Sequence, residues 1–290
     1  MSSNAFASLG CAALIGFVST GCATAANSRA VPPAPLDDIP HDRRSAARYS
    51  EAVQIQVNNA AADFCTGVLL APNVVLTASH CIVFNPNDDG GGPHGTWTVQ
   101  APFAEGGAQI RTASWAEPMD IAFYSLHKED YDACGKSLHD VGLLYLDQPM
   151  TGVRFPEFSR TRYPTTRNQA VSAVVRTAVL PNAGLALTRA VTLLPATSEY
   201  PNDNVTIRMT YGGDSGGPLF LEGTHTLVGT ETRFDPTNQL DSWARLDSDV
   251  HDFLVSRVHA HRSPPAVGGA DSAEGAVDAE IASNRKRSVR

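Results

Sequence analysis

The sequence predicts an all-β protein, built as a sandwich or barrel, with a single helix near its carboxyl end. Short apolar segments of strand length recur along the chain, and clusters of Pro, Gly, Asn and Asp separate them. In the first segment Val53, Ile55 and Val57 alternate with two glutamines, which is the pattern of a strand with one buried face. The segments are not separated by regular helices, so a parallel α/β fold is not indicated.

Ten segments carry the strand pattern. They cover residues 53–57, 67–70, 74–78, 97–99, 141–146, 170–175, 190–194, 204–209, 219–221 and 227–230. The predicted helix follows Asp247, which can cap it, and places Val250, Phe253, Leu254 and Val258 at helical spacing. Acidic residues come early in this segment and basic residues late, an order that the helix dipole favours.

Composition indicates a packed protein that does not bind nucleic acid. The 290 residues are 42% hydrophobic and 18% charged, which is long and apolar enough for one large or two small domains. The net charge is −8, and no basic stripe with interleaved aromatic residues occurs in the body of the chain.

The first residues, 1–25, predict an export leader. An apolar run at 12–18 is too short to span a bilayer, and small residues follow it. Two cleavage sites compete. Residues 19–22 resemble a bacterial lipoprotein box that would lipidate Cys22 and attach the protein to a membrane, whereas 23–25 suit an ordinary signal peptidase. The expected location is extracytoplasmic, either secreted or lipid-anchored in the bacterial envelope.

Two further segments lack strand or helix patterns. Residues 26–49 are rich in Pro, Ala and charge and predict a linker or propeptide, and residues 263–290 predict a disordered tail. The loop 85–90 has oxygen donors at alternating positions but lacks the closing glutamate of an EF-hand. We expect neither a metal nor an organic cofactor.

Three motifs carry candidate chemistry. Gly-Asp-Ser-Gly-Gly-Pro at 213–218 can hold the nucleophile Ser215 in a glycine-rich turn, and Thr-Ala-Ser-His-Cys at 77–81 offers His80 as general base. Asp140 precedes an apolar strand and would orient the imidazole of His80 and stabilise its cation. Its rivals in nearby loop-like sequence are Asp120, Asp130 and Asp132.

The turn also predicts an oxyanion hole and the cysteines predict a disulfide. The backbone N–H groups of Gly213 and Ser215 would face the developing oxyanion. Cys65 and Cys81 flank a strand-turn-strand segment that ends at His80, so a bridge between them would fix the loop of this histidine. The chain-entropy estimate for a loop of this length is about 3 kcal/mol. Cys134 has no obvious partner.

Taken together, the motifs resemble those of the trypsin/chymotrypsin-like serine endopeptidases of bacterial type. The resemblance covers about 52–260 and rests on Cys-Thr-Gly at 65–67, the two motifs above, and Asp-Val-Gly-Leu-Leu at 140–144. It implies two six-stranded antiparallel β-barrels and a terminal helix packed on the second. Residues 50–158 would form the first barrel, with His80 and Asp140, and 159–262 the second, with Ser215 and the helix.

The sequence departs from this family at two places. No Ile-Val-Gly-Gly is present to supply the new ammonium group that pairs with the aspartate before the nucleophile, so Asp214 has either another partner or backbone amides. Met209 stands where trypsin has its pocket aspartate, and the pocket disulfide is missing.

The resemblance assigns five residues to the specificity pocket, and they leave the cleaved residue undecided. These are Met209, Thr210, Thr232, Phe234 and Asp241. A bulky Phe234 would shorten the slot and favour small or medium apolar residues. Asp241 on the far wall would instead attract Arg or Lys.

The resulting prediction is an exported serine endopeptidase that cleaves protein or peptide substrates through an acyl-enzyme on Ser215. A catalytically silent homologue that binds a protein partner is the first alternative. An esterase that uses the same three residues is the second.

Overall fold

The computed structural model describes residues 44–57, 64–83, 94–125, 138–177 and 184–262. The predicted leader and tail lie outside these ranges, as do the loop 85–90 and Cys134. Asp130 and Asp132 lie outside them too. No helix within the described ranges is long and apolar enough to cross a membrane.

The first half of the chain forms a closed six-stranded barrel. Its strands are β2 Ala52–Val57, β3 Phe64–Ala71, β4 Val74–Thr77, β5 His94–Ala101, β6 Gln109–Pro118 and β7 Gly142–Leu146. They are antiparallel and follow the order β2-β3-β4-β7-β6-β5, in which the last strand pairs with the first. Helix α1, Ser79–Val83, follows β4, and a 3-10 helix, Ile121–Ser125, follows β6.

The alternation of apolar residues explains why this barrel closes. Ile55, Leu69, Val75, Val99 and Leu144 come from five different strands and are fully buried in one cluster. Each points inward from its strand, because successive side chains of a strand alternate between its two faces. The barrel interior is thus a packed core.

The second half forms an eight-stranded antiparallel sheet. Its order is β1-β9-β8-β12-β13-β14-β11, with β10 also paired to β8. The bounds are β1 Arg44–Ser45, β8 Ala170–Arg176, β9 Leu185–Leu187, β10 Val191–Thr192, β11 Asp203–Ile207, β12 Pro218–Leu221, β13 Leu227–Asp235 and β14 Leu240–Arg245. Helix α2, Ser248–Arg262, ends the described chain.

A short bridge joins the ends of this second sheet. Leu194, just after β10, exchanges two backbone hydrogen bonds with Val205 of β11, at 2.9 and 3.1 Å. Through this bridge six strands form a ring in the order β10-β8-β12-β13-β14-β11, and β9 and β1 extend the sheet beyond β8. The all-β architecture with a terminal helix, expected from the sequence, is confirmed.

Both halves share a core, and α2 packs across it. Val250, Leu254 and Val258 of α2 are buried in a cluster that includes Leu143 of β7 and Phe220 of β12. The helix therefore contacts both halves of the molecule, whereas the sequence predicted contact with the second half alone.

The folded unit begins before the predicted end of the linker. Arg44 and Ser45 pair with β9, and Tyr49 is fully buried with its ring stacked on Phe220, at 4.7 Å between centroids. Residues 44–49 thus contribute to the contact between the two halves.

Candidate active site

His80 lies on α1, which the structure fixes from two sides. The Ser79 hydroxyl donates a hydrogen bond to the carbonyl of Val141 at 2.7 Å, so the start of the helix is tied to β7. A disulfide joins Cys65 of β3 to Cys81, beside His80, with the Cα atoms 6.2 Å apart. The expected disulfide is present, and it restrains the histidine from the opposite side.

Asp140 holds His80 by two hydrogen bonds. Its Oδ2 lies 2.8 Å from His80 Nδ1, and its Oδ1 accepts from the backbone N–H of His80 at 3.0 Å. The carboxylate is 1% exposed. An Nδ1–H that donates to this carboxylate leaves Nε2 available as a proton acceptor.

Of the three alternatives to Asp140, Asp120 lies in the described part of the chain, and it does not contact His80 in any hydrogen bond described there. Asp120 accepts from the N–H of Ala122 and so caps the 3-10 helix. A capping role of this kind is common for an aspartate in a loop.

The turn that carries Ser215 requires its glycines. Gly213 and Gly216 have φ values of 96° and 79°, which residues with a Cβ rarely adopt. A Cβ at Gly216 would lie 2.4 Å from the carbonyl oxygen of Thr66 and 2.8 Å from the nitrogen of Ala78. The turn therefore lies directly against the strand and loop that lead to His80.

A hydrogen bond fixes Ser215 to the first barrel. Its carbonyl accepts from the N–H of Thr66 at 2.8 Å, while the Thr66 hydroxyl donates to the carbonyl of Gly213 at 3.0 Å. These contacts join the Ser215 turn, residues 213–218, to β3, in the segment whose Cys65 is bridged to the neighbour of His80.

The N–H groups of this turn divide into two sets. Those of Asp214, Gly216 and Gly217 donate to backbone carbonyls. None of the hydrogen bonds described for the turn uses the N–H of Gly213 or Ser215 as donor. These are the two groups that the sequence predicts for the oxyanion hole.

Asp214 is held by backbone amides, which is one of the two alternatives left by the sequence. Its Oδ1 accepts from the N–H of Arg176 at 2.6 Å, and its Oδ2 from the N–H of Tyr211 at 3.1 Å. The Tyr211 hydroxyl in turn donates to the carbonyl of Arg176 at 3.1 Å. β8 and the Ser215 turn are therefore bound to each other through this carboxylate.

The Arg176 guanidinium stands beside the same turn. It is buried, lies 4.5 Å from the ring centroid of Phe64, and would be met at 2.5 Å by a Cβ on Gly213. Burial lowers the pKa of Arg176, and the charge of Asp214 acts in the opposite direction. The sequence offered no signal for this residue beyond a charge at the end of an apolar strand.

Three of the five predicted pocket residues form one hydrogen-bonded group. Asp241 Oδ2 accepts from the N–H groups of Met209 and Thr210, at 2.5 and 3.0 Å, and Oδ1 accepts from the Thr210 hydroxyl at 2.7 Å. Burial raises the pKa of Asp241 to about 6, although these hydrogen bonds favour its charged form.

The other two pocket residues lie apart from this group. The Thr232 hydroxyl contacts Asp203 and the Ser242 side chain in the interior. Phe234 is half-buried, and the Arg208 guanidinium covers its ring at 3.8 Å from the centroid.

Glu231 is a buried residue of this region that the sequence reasoning missed. It is 3% exposed and belongs to β13, whose predicted segment ended at Thr230. Its backbone pairs with Gly216 and Gly217 through hydrogen bonds of 2.8 and 2.9 Å, so it lies alongside the Ser215 turn. A glutamate directly after an apolar run was the available signal.

Three residues lie close enough together to bind a metal ion, but two of them are not in the chemical form that binds one. Potential ligand atoms of Cys65, His80 and Cys81 lie within 4.8 Å of one another. The two sulfur atoms form the disulfide, however, and a disulfide sulfur is not the thiolate that binds metals.

The comparison with protein families identifies the class of this chain. Residues 41–240 match the model of the family Trypsin, a span of more than half the sequence. The chain therefore belongs to the trypsin family of serine endopeptidases. No curated protein matches it.

Solved structures support the same fold. The chain is similar to the Vibrio cholerae VesB protease, with a TM-score of 0.54 and 16% identity over 74% of this chain and 66% of that one. It is also similar to the human heparin binding protein, with a TM-score of 0.55 and 18% identity over 77% of this chain and 98% of that one. A third similar structure is that of a scabies mite inactivated protease paralogue, with a TM-score of 0.55 and 16% identity over 74% of this chain and 97% of that one.

Proposed function

We propose that the chain is an exported endopeptidase in which Ser215 is the nucleophile, His80 the general base and Asp140 the orienting carboxylate. The observation that carries this proposal is the paired contact of His80 with the buried Asp140, next to a glycine turn with positive φ values that holds Ser215. A base held in one tautomer beside a hydroxyl is what acyl transfer requires.

In the first half of the reaction, Ser215 Oγ attacks the substrate carbonyl carbon while His80 Nε2 takes the hydroxyl proton. Asp140 stabilises the resulting imidazolium through Nδ1–H. The N–H groups of Gly213 and Ser215 would bind the oxyanion of the tetrahedral intermediate. His80 then gives its proton to the leaving amine, the C–N bond breaks, and the acyl group remains on Ser215 as an ester.

In the second half, water replaces the amine. His80 removes a proton from the water, which attacks the ester carbonyl, and the proton passes to Ser215 Oγ as the C–O bond breaks. The products are a carboxylic acid and the free enzyme, so no metal or organic cofactor takes part. Family membership implies protein or peptide substrates.

The test is covalent labelling with a fluorophosphonate, which phosphonylates an activated serine. We expect one label per chain, mapped to Ser215 by peptide mass spectrometry and abolished by Ser215→Ala. His80→Ala should slow labelling by at least about 100-fold, because the base is lost. A matched control, Ser159→Ala, removes a hydroxyl outside the site and should label like the parent. A label that persists in the Ser215→Ala variant would overturn the assignment.

Two other functions are compatible with this site, and labelling together with a peptide library distinguishes them from an endopeptidase. A silent homologue is a real alternative because a protein of similar fold is described as an inactivated protease paralogue. It would take no label. An esterase would take the label and hydrolyse activated esters, yet leave every peptide of a mixed library intact.

Export is part of the proposal and rests on separate support. A structural disulfide is typical of proteins outside a reducing cytoplasm. Cell fractionation with a Cys22→Ser variant tests the two leader alternatives. A lipidated protein loses its membrane association in this variant, whereas a secreted one is unaffected.

A further inference from the structure

Glu231 brings a carboxyl group to the nucleophile, and the proposed mechanism does not use it. Its strand, β13, pairs with the two residues that follow Ser215. The N–H of Gly216 donates to the carbonyl of Glu231 at 2.8 Å, and the N–H of Glu231 donates to the carbonyl of Gly217 at 2.9 Å. Glu231 is 3% exposed, and its carboxyl group lies within hydrogen-bonding reach of the Ser215 hydroxyl. A buried carboxyl group therefore contacts the side chain that carries the reacting oxygen.

The protein supplies few hydrogen-bond donors to this carboxyl group. Its Oε2 is buried and has no hydrogen-bond partner among the described residues. Its Oε1 lies 3.4 Å from the Thr210 hydroxyl, but a hydroxyl has one proton to donate, and that of Thr210 goes to Asp241 Oδ1 at 2.7 Å. A buried charge without donors is costly, and a carboxyl group avoids this cost by keeping its proton. The contacts therefore favour a neutral Glu231.

Three carboxylates around Glu231 favour the same state. They come from three segments: Asp241 from β14, Asp214 from the Ser215 turn, and Asp140 from the loop before β7. Burial has the largest effect and raises the pKa of Glu231 well above its ordinary value, and the charges of these three groups raise it further. A hydrogen bond from Ser215 acts in the opposite direction. The Ser215 hydroxyl thus binds the charged form of Glu231 more tightly than the neutral form.

The arginines of this region act on other carboxylates. The pairs are Arg208 with Asp241, Arg176 with Asp214, and Arg233 with Asp203 of β11. Even with these partners, burial raises the pKa of Asp241 and that of Asp203 to about 6. Glu231 has fewer donors than Asp241 and three acidic neighbours, so we expect it to keep its proton at neutral pH.

Two groups compete for the single proton of the Ser215 hydroxyl. A neutral Glu231 is a weak acceptor, so the proton is available to His80 Nε2, as acyl transfer requires. An ionised Glu231 is a strong acceptor, because charge-assisted hydrogen bonds are about twice as strong as neutral ones. The hydroxyl then donates to Glu231, and His80 has no proton to remove.

We propose that Glu231 is a positioning residue for the Ser215 hydroxyl: the neutral acid leaves the hydroxyl proton to His80, whereas the carboxylate binds that proton and stops acyl transfer. This inference rests on the proposed endopeptidase function and adds a pH-sensing residue to it. Activity is present below the pKa of Glu231 and is lost as the pH rises through it. The acid side of the pH profile belongs to His80, which accepts a proton only when it is neutral.

The experiment measures the rate at which a fluorophosphonate labels Ser215 in the full chain, from about pH 5 to about pH 10. We expect the rate to rise as His80 loses its proton and then to fall at least about tenfold on the alkaline side as Glu231 ionises. Circular dichroism at each pH reports whether the fold is intact. A fall that coincides with unfolding would count against the proposal.

Glu231→Gln keeps the size of the side chain but cannot ionise. We expect this variant to keep the acid side of the profile and to lose the alkaline fall, so that at the alkaline end it is labelled at least about tenfold faster than the parent. The matched control is Glu222→Gln, which changes a carboxylate bound to Arg44 and Ser172 outside the site. It should reproduce the parental profile on both sides.

Infrared difference spectra of the parent and Glu231→Gln observe this carboxyl group directly. We expect the C=O stretch of a protonated carboxyl group at neutral pH, and its replacement by carboxylate bands over the range in which labelling falls. Ser215→Ala removes the hydroxyl that favours the charged form of Glu231. In that variant the transition should therefore move to higher pH, which a purely structural role of Glu231 would not produce.

The outcomes separate this proposal from the function on which it rests. A parent that is labelled without an alkaline fall, or a fall that Glu231→Gln shares, overturns the role of Glu231 and leaves the endopeptidase intact. A Glu231 that is already ionised at neutral pH does the same. A parent that neither labels nor cleaves any peptide overturns both. If Glu231→Gln does not fold, the infrared transitions of the parent and Ser215→Ala decide, and equal transitions would overturn the proposal.

Discussion

Two buried carboxylates, Asp214 and Glu231, lie beside the turn that carries Ser215, and they differ in how their oxygens are hydrogen-bonded. Asp214, directly before Ser215, accepts backbone N–H groups on both oxygens and has the Arg176 guanidinium nearby. Glu231, alongside on β13, has one long hydrogen bond and one orphaned oxygen. A carboxylate that accepts backbone N–H groups on both oxygens fixes the backbone around it, whereas Glu231 has no described donor on one oxygen. We therefore expect the position of the turn to depend on Asp214 more than on Glu231.

The largest expected effect comes from Asp214→Ala. Loss of this carboxylate leaves the N–H groups of Arg176 and Tyr211 without acceptors and frees the turn that carries the oxyanion donors. We expect kcat/KM to fall at least about 100-fold, the loss typical of one oxyanion donor. The free energy of unfolding should fall by about 2 to 5 kcal/mol, because two buried donors are orphaned. Peptide hydrolysis and urea unfolding measure the two changes, and a loss of activity below tenfold would contradict the positioning role.

Arg176→Gln is expected to have a smaller effect on the same turn. The backbone N–H that binds Asp214 remains, and only the charge beside the carboxylate is removed. We expect kcat to fall about tenfold with little change in KM, since the turn binds the oxyanion and not the ground state. Steady-state kinetics measure the split. Arg176→Lys should recover part of the loss; equal kinetics for Gln, Lys and the parent would show that the charge does not matter.

Asp241→Asn tests a carboxylate that accepts three hydrogen bonds, through the pH dependence of stability. The pKa of Asp241 rises from 3.8 to about 6 on folding, mainly through burial. Because the folded pKa is the higher one, this group adds stability that is fully present below about 3.8 and is lost as the pH rises through about 6. The parent should therefore lose about 1 to 3 kcal/mol relative to the variant between pH 4 and 7.

Urea unfolding at a series of pH values measures this difference. Glu231 belongs to the same buried group. The double variant with Glu231→Gln therefore shows how much of the pH dependence of the free energy of unfolding comes from Glu231. Parallel stability curves for the parent and Asp241→Asn would show that Asp241 does not titrate in this range.

The smallest effect is expected far from both carboxylates. Arg160 and Asp252 form an ion pair whose side chains are 65% and 52% exposed. Exposed pairs are screened by solvent, so Arg160→Gln should change the free energy of unfolding by no more than about 0.5 kcal/mol and leave kcat/KM unchanged. A loss of activity here would mean that the assays do not resolve the site from the surface.

The sequence predicted most of the fold because its strands are short, apolar and well separated. It missed β6, where polar and charged residues are interspersed with apolar ones and a proline ends the strand, and β14, where Asp241 and Ser242 interrupt the apolar pattern. Strands of this kind are stabilised by pairing with neighbours, and pairing with distant segments is not visible in a local pattern.

The site was predictable where chemistry requires a fixed spacing. His80 and Ser215 each stand in a local motif, and Asp140 precedes a strand that buries it beside His80. Arg176 and Glu231 lie at the end of one apolar strand and within another, and their importance comes from contacts that the fold brings together. A local sequence pattern does not predict which of these contacts will form.

The most direct test of the account uses an activated ester that releases a fluorescent alcohol when it acylates a serine. We expect a burst of one alcohol per chain, with the acyl group mapped to Ser215, and no burst in Ser215→Ala. A parent without a burst, or an acyl group on another residue, would contradict the account.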